Sequence, residues 1–170
     1  MNIVRGNFLR GLSDPAGVVV APTNGVITPV GLVMGAGAAL ALAQHQPRIR
    51  HALARRIERE GVRVGRFWRY GFVAVRLEGQ LYGAFQSKLD FRQGSDLELI
   101  RYSAGRLARW LEAHPTPTVH LAFPGIGLGG LEPEAVLGVL EEELGTIPCG
   151  TGRSRYTLGP LGERVRLYRK

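Results

Sequence analysis

The chain has 170 residues, a formal net charge of +8 and 45% hydrophobic residues. This length suits one domain and is short for two domains with a linker, and the hydrophobic content excludes a wholly disordered chain. We therefore expect a single domain over 1–170, with its core at about 1–145 and a basic C-terminal strand or tail at 150–170.

The first sixty residues predict a buried strand, a glycine-rich loop and two helices. Residues 17–23 (GVVVAPT) are apolar and β-branched, which is typical of a central strand buried on both faces. A loop follows and leads into a helix of small residues from 35 onwards. Residues 48–60 predict a second helix, because apolar residues recur there at helical spacing between arginines.

The middle of the chain predicts a pair of strands and the longest helix. Segments 71–77 (GFVAVRL) and 80–86 (QLYGAFQ) have the composition of strands and are separated by a two-residue turn. A helix is predicted over 95–114, where apolar residues step by three and four. Ser95 and Glu98 have the spacing of a capping box, so we expect Ser95 to begin this helix.

The last third predicts a buried strand, a second glycine-rich turn, a helix and a final strand. Residues 119–123 (VHLAF) form the strand, which runs into the turn 124–131. Residues 132–134 (EPE) are typical of a helix start, because proline suits the first turn and the helix dipole favours acids there. The tail, 157–170, ends in alternating arginines and apolar residues and predicts an edge strand.

Strands that alternate with helices predict an α/β layered fold with a mostly parallel central sheet. In such sheets, ligands bind beyond the carboxyl ends of the strands. Two glycine-rich loops, 24–37 and 124–131, follow predicted strands and are therefore expected at that edge. This coincidence is the most informative feature of the sequence.

The glycine-rich segments have the chemistry of an anion site. Glycine lets backbone N–H groups approach a ligand, and a helix that begins there adds a favourable potential for a phosphate. Residues 34–38 (MGAGA) lack both the lysine of a Walker A loop and the full dinucleotide-binding spacing. The alternative interpretation is close packing of a helix on the sheet through small residues.

Composition also limits compartment and metal chemistry. A single cysteine, Cys149, excludes an internal disulfide and a cysteine cluster for zinc, and the four histidines share no ligand spacing. We expect neither a metal nor a cofactor. The uncharged segment 16–46 is interrupted by prolines, and its apolar part is shorter than the roughly 20 residues that span a bilayer. A cytoplasmic protein without membrane contacts is expected.

Lysine is rare in this basic chain. Of 22 basic residues, 20 are arginine, and the two lysines are Lys88 and Lys170. An amine can lose its proton and become a nucleophile, whereas a guanidinium stays charged in proteins. Lys88, in mid-chain, is therefore a candidate catalytic residue; the alternative is a solvated cation at a strand end.

The positive charge is concentrated in two blocks. Residues 48–69 hold eight arginines against two glutamates, and 151–170 hold five arginines and one lysine against one glutamate. The helix predicted within 131–144 holds five glutamates and no cation. The basic blocks indicate contact with a polyanion such as DNA or RNA through its phosphates. The alternative is that they are merely solvated faces.

Four segments together resemble the macrodomains, a family that binds ADP-ribose. They are 19–24 (VVAPTN), 33–40 (VMGAGAAL), 85–88 (FQSK) and 123–131 (FPGIGLGGL). Their order and separations match across roughly 1–145. The sequence is most similar to the branch of DarG antitoxin macrodomains and terminal ADP-ribose protein glycohydrolases. The resemblance implies a three-layer α/β/α fold with a mixed, mostly parallel sheet.

The resemblance also implies roles for individual residues. Asn24 matches an asparagine near the distal ribose. Lys88 matches the catalytic lysine of the branch, which attacks the anomeric carbon of ADP-ribose after ring opening with help from a carboxylate. The residues expected to bind the ligand are Thr23, Asn24, Met34, Gly35, Ala36, Gly37, Ser87, Gly125, Ile126, Gly127, Leu128, Gly129 and Gly130.

The sequence departs from the family pattern at the assisting carboxylate. The second loop lacks the acid that terminal ADP-ribose glycohydrolases use, and it is about two residues shorter than usual. Residues 25–33 lengthen the first loop, and Ala21 and Pro22 stand where relatives have an asparagine. Glu132 and Asp90 are the nearest acids and thus the candidate general acids or bases. Glu132 is alternatively a helix-start acid, and Asp90 a turn residue.

The leading hypothesis is an ADP-ribosylhydrolase that uses Lys88 to release ADP-ribose from a macromolecule, with nucleic acid as the favoured carrier. The first alternative is a non-catalytic reader of free or attached ADP-ribose. The second is a basic RNA-binding module whose pocket no longer binds a ligand.

Overall fold

The computed structural model describes residues 1–145 and 161–170, which form ten strands and four α-helices. The strands are β1 (Asn2–Arg5), β2 (Gly17–Thr23), β3 (Ile27–Thr28), β4 (Gly31–Leu32), β5 (Val62–Val64), β6 (Phe67–Arg69), β7 (Phe72–Leu77), β8 (Gln80–Gln86), β9 (Thr118–Ala122) and β10 (Val165–Arg169). The helices are α1 (Gly37–His45), α2 (Ile49–Glu60), α3 (Leu97–Ala113) and α4 (Pro133–Leu144).

Six strands form the central sheet, in the order β1-β10-β9-β2-β8-β7. Every neighbouring pair is parallel except β7 and β8, which form an antiparallel hairpin. The prediction of a mixed, mostly parallel sheet is confirmed. Two short hairpins, β3–β4 and β5–β6, lie outside the sheet.

Helices cover both faces of this sheet, so the predicted three-layer α/β/α arrangement is also confirmed. Successive residues of a strand point to opposite faces, and β2 feeds both cores. Val19 and Ala21 pack in the cluster that includes α1 and α2, whereas Val18 and Val20 pack in the cluster that includes α3 and α4. All four side chains are fully buried, which explains why 17–23 is apolar throughout.

The prediction of a C-terminal edge strand is wrong. β10 lies inside the sheet, between β1 and β9, and its Val165 and Leu167 are fully buried. The edge on this side is β1, a four-residue strand that the sequence did not reveal. The alternating arginines suggested an edge, but the position of β10 depends on pairing with residues more than 160 positions earlier.

The prediction that Ser95 begins the long helix is also wrong. Asp96 is the N-cap of α3, and its carboxylate accepts the N–H groups of Glu98 (2.9 Å) and Leu99 (3.4 Å). The Ser95 N–H instead donates to the carbonyl of Gly129 at 2.9 Å. Both residue types cap helices well, and this tertiary contact decides between them.

Some expectations concern residues outside the described part of the chain. Cys149 and the arginines at 153 and 155 fall there, as does the start of the predicted tail. Within 1–145 and 161–170, no helix has both the length and the apolar character needed to cross a membrane. The same residues include no group of three or more His, Cys, Asp or Glu side chains able to hold a metal ion.

A buried polar chain links the 3-10 helix at 8–13 to two central strands. Both ring nitrogens of His120 form hydrogen bonds. Nδ1 lies 2.8 Å from the Tyr168 hydroxyl, and Nε2 lies 2.8 Å from a carboxylate oxygen of Asp14. The hydrogen bond with His120 lowers the pKa of Asp14, and Arg166 adds a smaller effect of the same sign.

We expect Asp14→Asn to reduce stability at neutral pH by about 1 kcal/mol, since it weakens a largely buried charged hydrogen bond. A carboxylate with a lowered pKa stabilises the folded state above its unfolded pKa, 3.8, and loses that contribution as the pH falls through the folded value. Urea unfolding at pH 7, 5 and 3 checks this. The variant and parent should differ at pH 7 and 5 and converge towards pH 3; a constant difference contradicts the assignment.

Candidate functional site

Three connections leave the same edge of the sheet. β9, β2 and β8 are adjacent and parallel, so the segments that follow them (123–132, 24–36 and 87–96) begin side by side. Backbone hydrogen bonds join these segments. The N–H of Ser87 donates to the carbonyl of Thr23 (3.0 Å), that of Gly25 to Leu89 (2.8 Å), and that of Ser95 to Gly129 (2.9 Å). The predicted meeting of the two glycine-rich loops is therefore a feature of the fold.

The side chain of Asn24 fastens the first loop. Its Nδ2 donates to the carbonyl of Val33 at 2.9 Å, and its Oδ1 accepts the N–H of Val26 at 2.9 Å. Between these points the inserted residues form the β3–β4 hairpin. Asn24 is buried, and these two bonds use part of its amide. Its predicted contact with a ribose stays a prediction.

The end of the first loop presents backbone to solvent. The Met34 side chain is buried in the core, and its carbonyl accepts a hydrogen bond from the Arg50 guanidinium at 3.2 Å. Residues 35–37 are exposed, and a Cβ added at Gly35 or Gly37 would meet no atom within 4 Å. α1 begins here without a side-chain cap, so no capping side chain occupies its first N–H groups.

The glycines of the second loop have two different roles. A Cβ at Gly125 would lie 2.7 Å from Ile100 Cδ1, and one at Gly129 would lie 2.5 Å from Ser95 Oγ, so both are required for packing. Gly127 and Gly130 face open space and are exposed. Of the other predicted ligand contacts, Ile126 is half-buried and Leu128 is 82% exposed.

Buried hydroxyls form the floor between the first loop and β8. The Tyr70 hydroxyl donates to the carbonyl of Asn24 (2.8 Å). The Thr23 hydroxyl lies 2.5 Å from the Tyr70 hydroxyl. Burial raises the pKa of Tyr70, so the phenol stays protonated and keeps this donor. The Ser87 hydroxyl donates to the Thr23 carbonyl at 3.3 Å. Thr23 and Ser87 thus support the loops from below.

The fully buried side chain of Gln86 ties a second hairpin to this floor. Its Oε1 accepts the N–H groups of Tyr70 (2.9 Å) and Gly71 (3.1 Å), and its Nε2 donates to the carbonyl of Trp68 (2.8 Å). The N–H of Trp68 also donates to the carbonyl of Gly25 at 2.8 Å. The β5–β6 hairpin is therefore attached directly to both the first loop and the end of β8.

Lys88 follows β8 and is half-buried, and it makes no ion pair with any residue that the structure describes. Asp90 lies two positions on and is bound by the guanidinium of Arg92 through contacts of 2.9–3.1 Å. These hydrogen bonds lower the pKa of Asp90, which keeps it ionised. Glu132 is exposed at the N-cap of α4 and makes no capping bond there.

Comparison with solved structures identifies the arrangement. No family model and no curated protein matches the sequence. The macrodomain of Mycobacterium tuberculosis DarG aligns over 99% of this chain and 97% of its own, with a TM-score of 0.70 at 22% identity. The macrodomain of Thermus aquaticus DarG aligns over the same shares, with a TM-score of 0.68 at 22% identity. The chain has the macrodomain fold.

A third similar structure is Thermosipho africanus DarTG in complex with ADP-ribose. It aligns with 99% of this chain and 41% of its own, with a TM-score of 0.68 at 15% identity. The resemblance inferred from four sequence segments is confirmed at the level of the fold. The roles implied for single residues stay predictions.

Sequence reasoning missed several residues that hold the three segments of the site together. Tyr70 supports the first loop, Gln86 ties the β5–β6 hairpin to the end of β8, and Arg50 anchors the Met34 carbonyl from α2. No local pattern marks them, because each acts on a partner at least 15 positions away. Asp96 was detectable in principle, as an acid directly before the apolar repeat of α3.

Proposed function

We propose that this macrodomain binds ADP-ribose and hydrolyses the glycosidic bond that links ADP-ribose to a macromolecule. One observation carries the proposal: two loops with open, exposed glycines lie at neighbouring strand ends, and Lys88 follows the next strand along, β8. A pyrophosphate needs backbone donors without side chains in the way, and a glycosidic bond beside it needs a nucleophile.

The pyrophosphate is assigned to the space between the two loops. The free N–H groups at the start of α1 and the exposed backbone at Gly35, Gly127 and Gly130 can approach its oxygens, and the α1 dipole favours the negative charge. The distal ribose then extends towards Thr23, Ser87 and Lys88, at the ends of β2 and β8.

Lys88 supplies the reacting group in this proposal. Ring opening breaks the bond from the anomeric carbon to the ring oxygen, which takes up a proton, and leaves that carbon doubly bonded to the carrier atom. The lysine amine adds to this carbon, and the carrier then leaves with a proton, which gives an imine with the lysine. Water adds to the imine, the amine is expelled, and the resulting aldehyde closes to the ring form of ADP-ribose. A guanidinium has no comparable lone pair, so arginine cannot replace this residue.

The proton for the leaving carrier is assigned to Glu132 in preference to Asp90. Both carboxylate oxygens of Asp90 are already held by Arg92, whereas the carboxylate of Glu132 can take the proton that Lys88 releases and pass it to the leaving carrier. Asp90 is better suited to fixing the turn that follows Lys88. Glu132 makes no ion pair within 1–145 and 161–170 and follows the second loop directly.

Nucleic acid is the favoured carrier because of the β5–β6 hairpin, which we call the basic hairpin (residues 62–69). It holds three arginines and no acid. The guanidinium of Arg63 lies 5.2 Å from the Trp68 ring centre, and that of Arg66 lies 5.4 Å from the Phe67 ring centre. Exposed cations beside aromatic rings suit phosphates and bases of a single strand, and the hairpin is bonded to the site through Trp68.

Two measurements test the proposed function. Calorimetric titration with ADP-ribose should give saturable heat, and incubation with ADP-ribosylated DNA, RNA and protein should release free ADP-ribose. Absence of both heat and thermal stabilisation by ADP-ribose would exclude the binding site itself. Binding without release from any carrier would favour the reader function, which the Arg92-bound state of Asp90 supports because it leaves one fewer carboxylate free for proton transfer.

We expect the double charge reversal R63E/R66E to weaken turnover of an ADP-ribosylated oligonucleotide by about tenfold at low salt, since phosphate contacts are electrostatic. Affinity for free ADP-ribose should not change, because these side chains lie outside the two loops. The control is R76E/R109E, which makes the same change of charge beside β7 and α3. If both variants lose turnover equally, net charge is responsible and the hairpin has no specific role.

A further inference from the structure

A groove runs along β7, the edge strand at the opposite end of the sheet from β1. It has a volume of about 510 Å³ and lies between α2 and α3. Phe72 and Trp110 form part of its wall, with ring centres 5.5 Å apart in an edge-to-face arrangement, and the Trp110 ring stacks on His114 at 4.4 Å. We call this cleft the edge groove.

The backbone of β7 faces the edge groove with unused hydrogen-bonding groups. The N–H of Gln86 donates to the carbonyl of Gly71 at 2.7 Å. This bond shows which opposed residues of β7 and β8 form hydrogen-bonded pairs. In an antiparallel ladder, alternate residues bond to the partner strand, so Val73 and Val75 bond to β8. The N–H and C=O groups of Ala74 and Arg76 therefore point outward. Among the described residues, β8 is the only strand that pairs with β7.

The charge of the edge groove is uneven. Its lining includes four arginines, at positions 56, 76, 106 and 109, and one glutamate, Glu60. Glu60 is paired with Arg56 at 3.1 Å, whereas the other three arginines have no carboxylate partner in the described structure. Residues 146–160 contain no acid that could pair with them.

The three arginines without a carboxylate partner, Arg76, Arg106 and Arg109, lie on the α3 side of the edge strand. Phe72 and Ala74 pack in the cluster on the α3 face, and Arg76 follows them at the same phase of the strand. Arg106 and Arg109 project from α3 on that face. Alternate side chains of a strand added beside β7 would therefore point to the side of the sheet that holds these arginines. The remaining side chains of the added strand would point to the α2 side.

We propose that the edge groove binds an extended acidic peptide of a partner protein, which adds to the sheet as a seventh strand beside β7. The backbone of the peptide pairs with Ala74 and Arg76, and acidic side chains at alternate positions meet Arg76, Arg106 and Arg109. The site is separate from the glycine-rich loops and does not depend on ADP-ribose.

Two other occupants fit these features less well. The phosphates of a nucleic acid could contact the arginines. A nucleic acid has no regular series of backbone N–H groups, however, so the outward carbonyls of β7 would stay unpaired. A second copy of this chain would bring its own three unpaired arginines against the first set, and like charges on paired edges oppose association.

The test uses a fluorescein-labelled nine-residue peptide of alternating glutamate and valine. We expect saturable binding by anisotropy, and at least about tenfold slower exchange of the Ala74 and Arg76 amides on binding, measured by NMR hydrogen exchange. R76E/R109E should weaken binding by about tenfold or more, while R63E/R66E in the basic hairpin should not. The same peptide with alternate amides N-methylated keeps the charges and should not bind.

Each contrary result overturns the proposal. Equal binding of the N-methylated peptide shows charge attraction without strand addition. Protection of amides elsewhere, with Ala74 and Arg76 unchanged, places the peptide outside the groove. A single-stranded oligonucleotide that binds in a way sensitive to R76E/R109E, with no binding of the peptide, assigns the groove to nucleic acid. A mass that doubles with protein concentration, together with slower exchange of the Ala74 and Arg76 amides in the dimer, assigns the groove to a second copy.

Discussion

Lys88→Ala should reduce the release of ADP-ribose from a modified oligonucleotide by at least about 100-fold, because it removes the nucleophile of the proposed reaction. The side chain is half-buried and has no ion pair among the described residues, so its loss leaves no buried charge without a partner. Folding and ADP-ribose affinity should therefore change little. Single-turnover release and calorimetry, measured on the same preparation, separate the two effects.

The chain supplies its own control for this experiment. Lys170, the second lysine, is exposed at the end of β10, and Lys170→Ala removes one positive charge without touching the loops. Lys88→Arg keeps the charge but replaces the amine, and it should be as inactive as Lys88→Ala. Substantial activity in Lys88→Arg would mean that the positive charge is what matters, and equal activity of Lys88→Ala and the parent would remove the residue from catalysis.

Gly35→Val should abolish ADP-ribose binding at concentrations that saturate the parent, a loss of about 100-fold or about 2.8 kcal/mol. Gly35 has a backbone conformation open to other residues, and a Cβ there meets no protein atom within 4 Å. The valine side chain would therefore occupy only the space assigned to the pyrophosphate. Calorimetry with ADP-ribose measures the loss, and the melting temperature without ligand should stay close to that of the parent.

Gly138→Val is the matched control for this substitution. Gly138 also lacks a positive φ and has no atom within 4 Å of an added Cβ, but it lies in α4, away from the loops. The Gly138→Val variant should bind ADP-ribose with the affinity of the parent. If Gly35→Val keeps its affinity, the phosphates do not lie against the first loop, and the proposed orientation of the ligand is wrong.

The elements that the sequence predicted well have local signals. The apolar run 17–23 coincides with β2, and 80–86 coincides with β8, because a strand buried on both faces needs such runs. Gly35, Gly37, Gly127 and Gly130 lie in two segments that stand out by their glycine content, and the positive φ of Gly37, Gly127 and Gly130 favours glycine at those positions. These two signals were enough to predict the edge of the sheet at which the candidate site lies.

The features that the sequence did not reveal depend on distant partners. β10 is an interior strand because β1 pairs on its far side, and no pattern within 165–169 encodes that contact. Ser95 and Asp96 are equally good caps, and a hydrogen bond to Gly129 selects between them. Tyr70 supports Asn24 across 46 positions. Such choices follow from which segments meet in space, which a single sequence does not specify.

The interior position of β10 has a consequence for the order of folding. β9, β2 and β8, which hold the three loops, pair with one another through residues 17–122. β1 has no sheet partner other than β10 among the described strands, so residues 2–5 cannot join the sheet until residues 166–169 are in place. The ligand-binding edge can thus assemble while Val4 and its neighbours are still unpaired, and closure of the far side is the slow, long-range step.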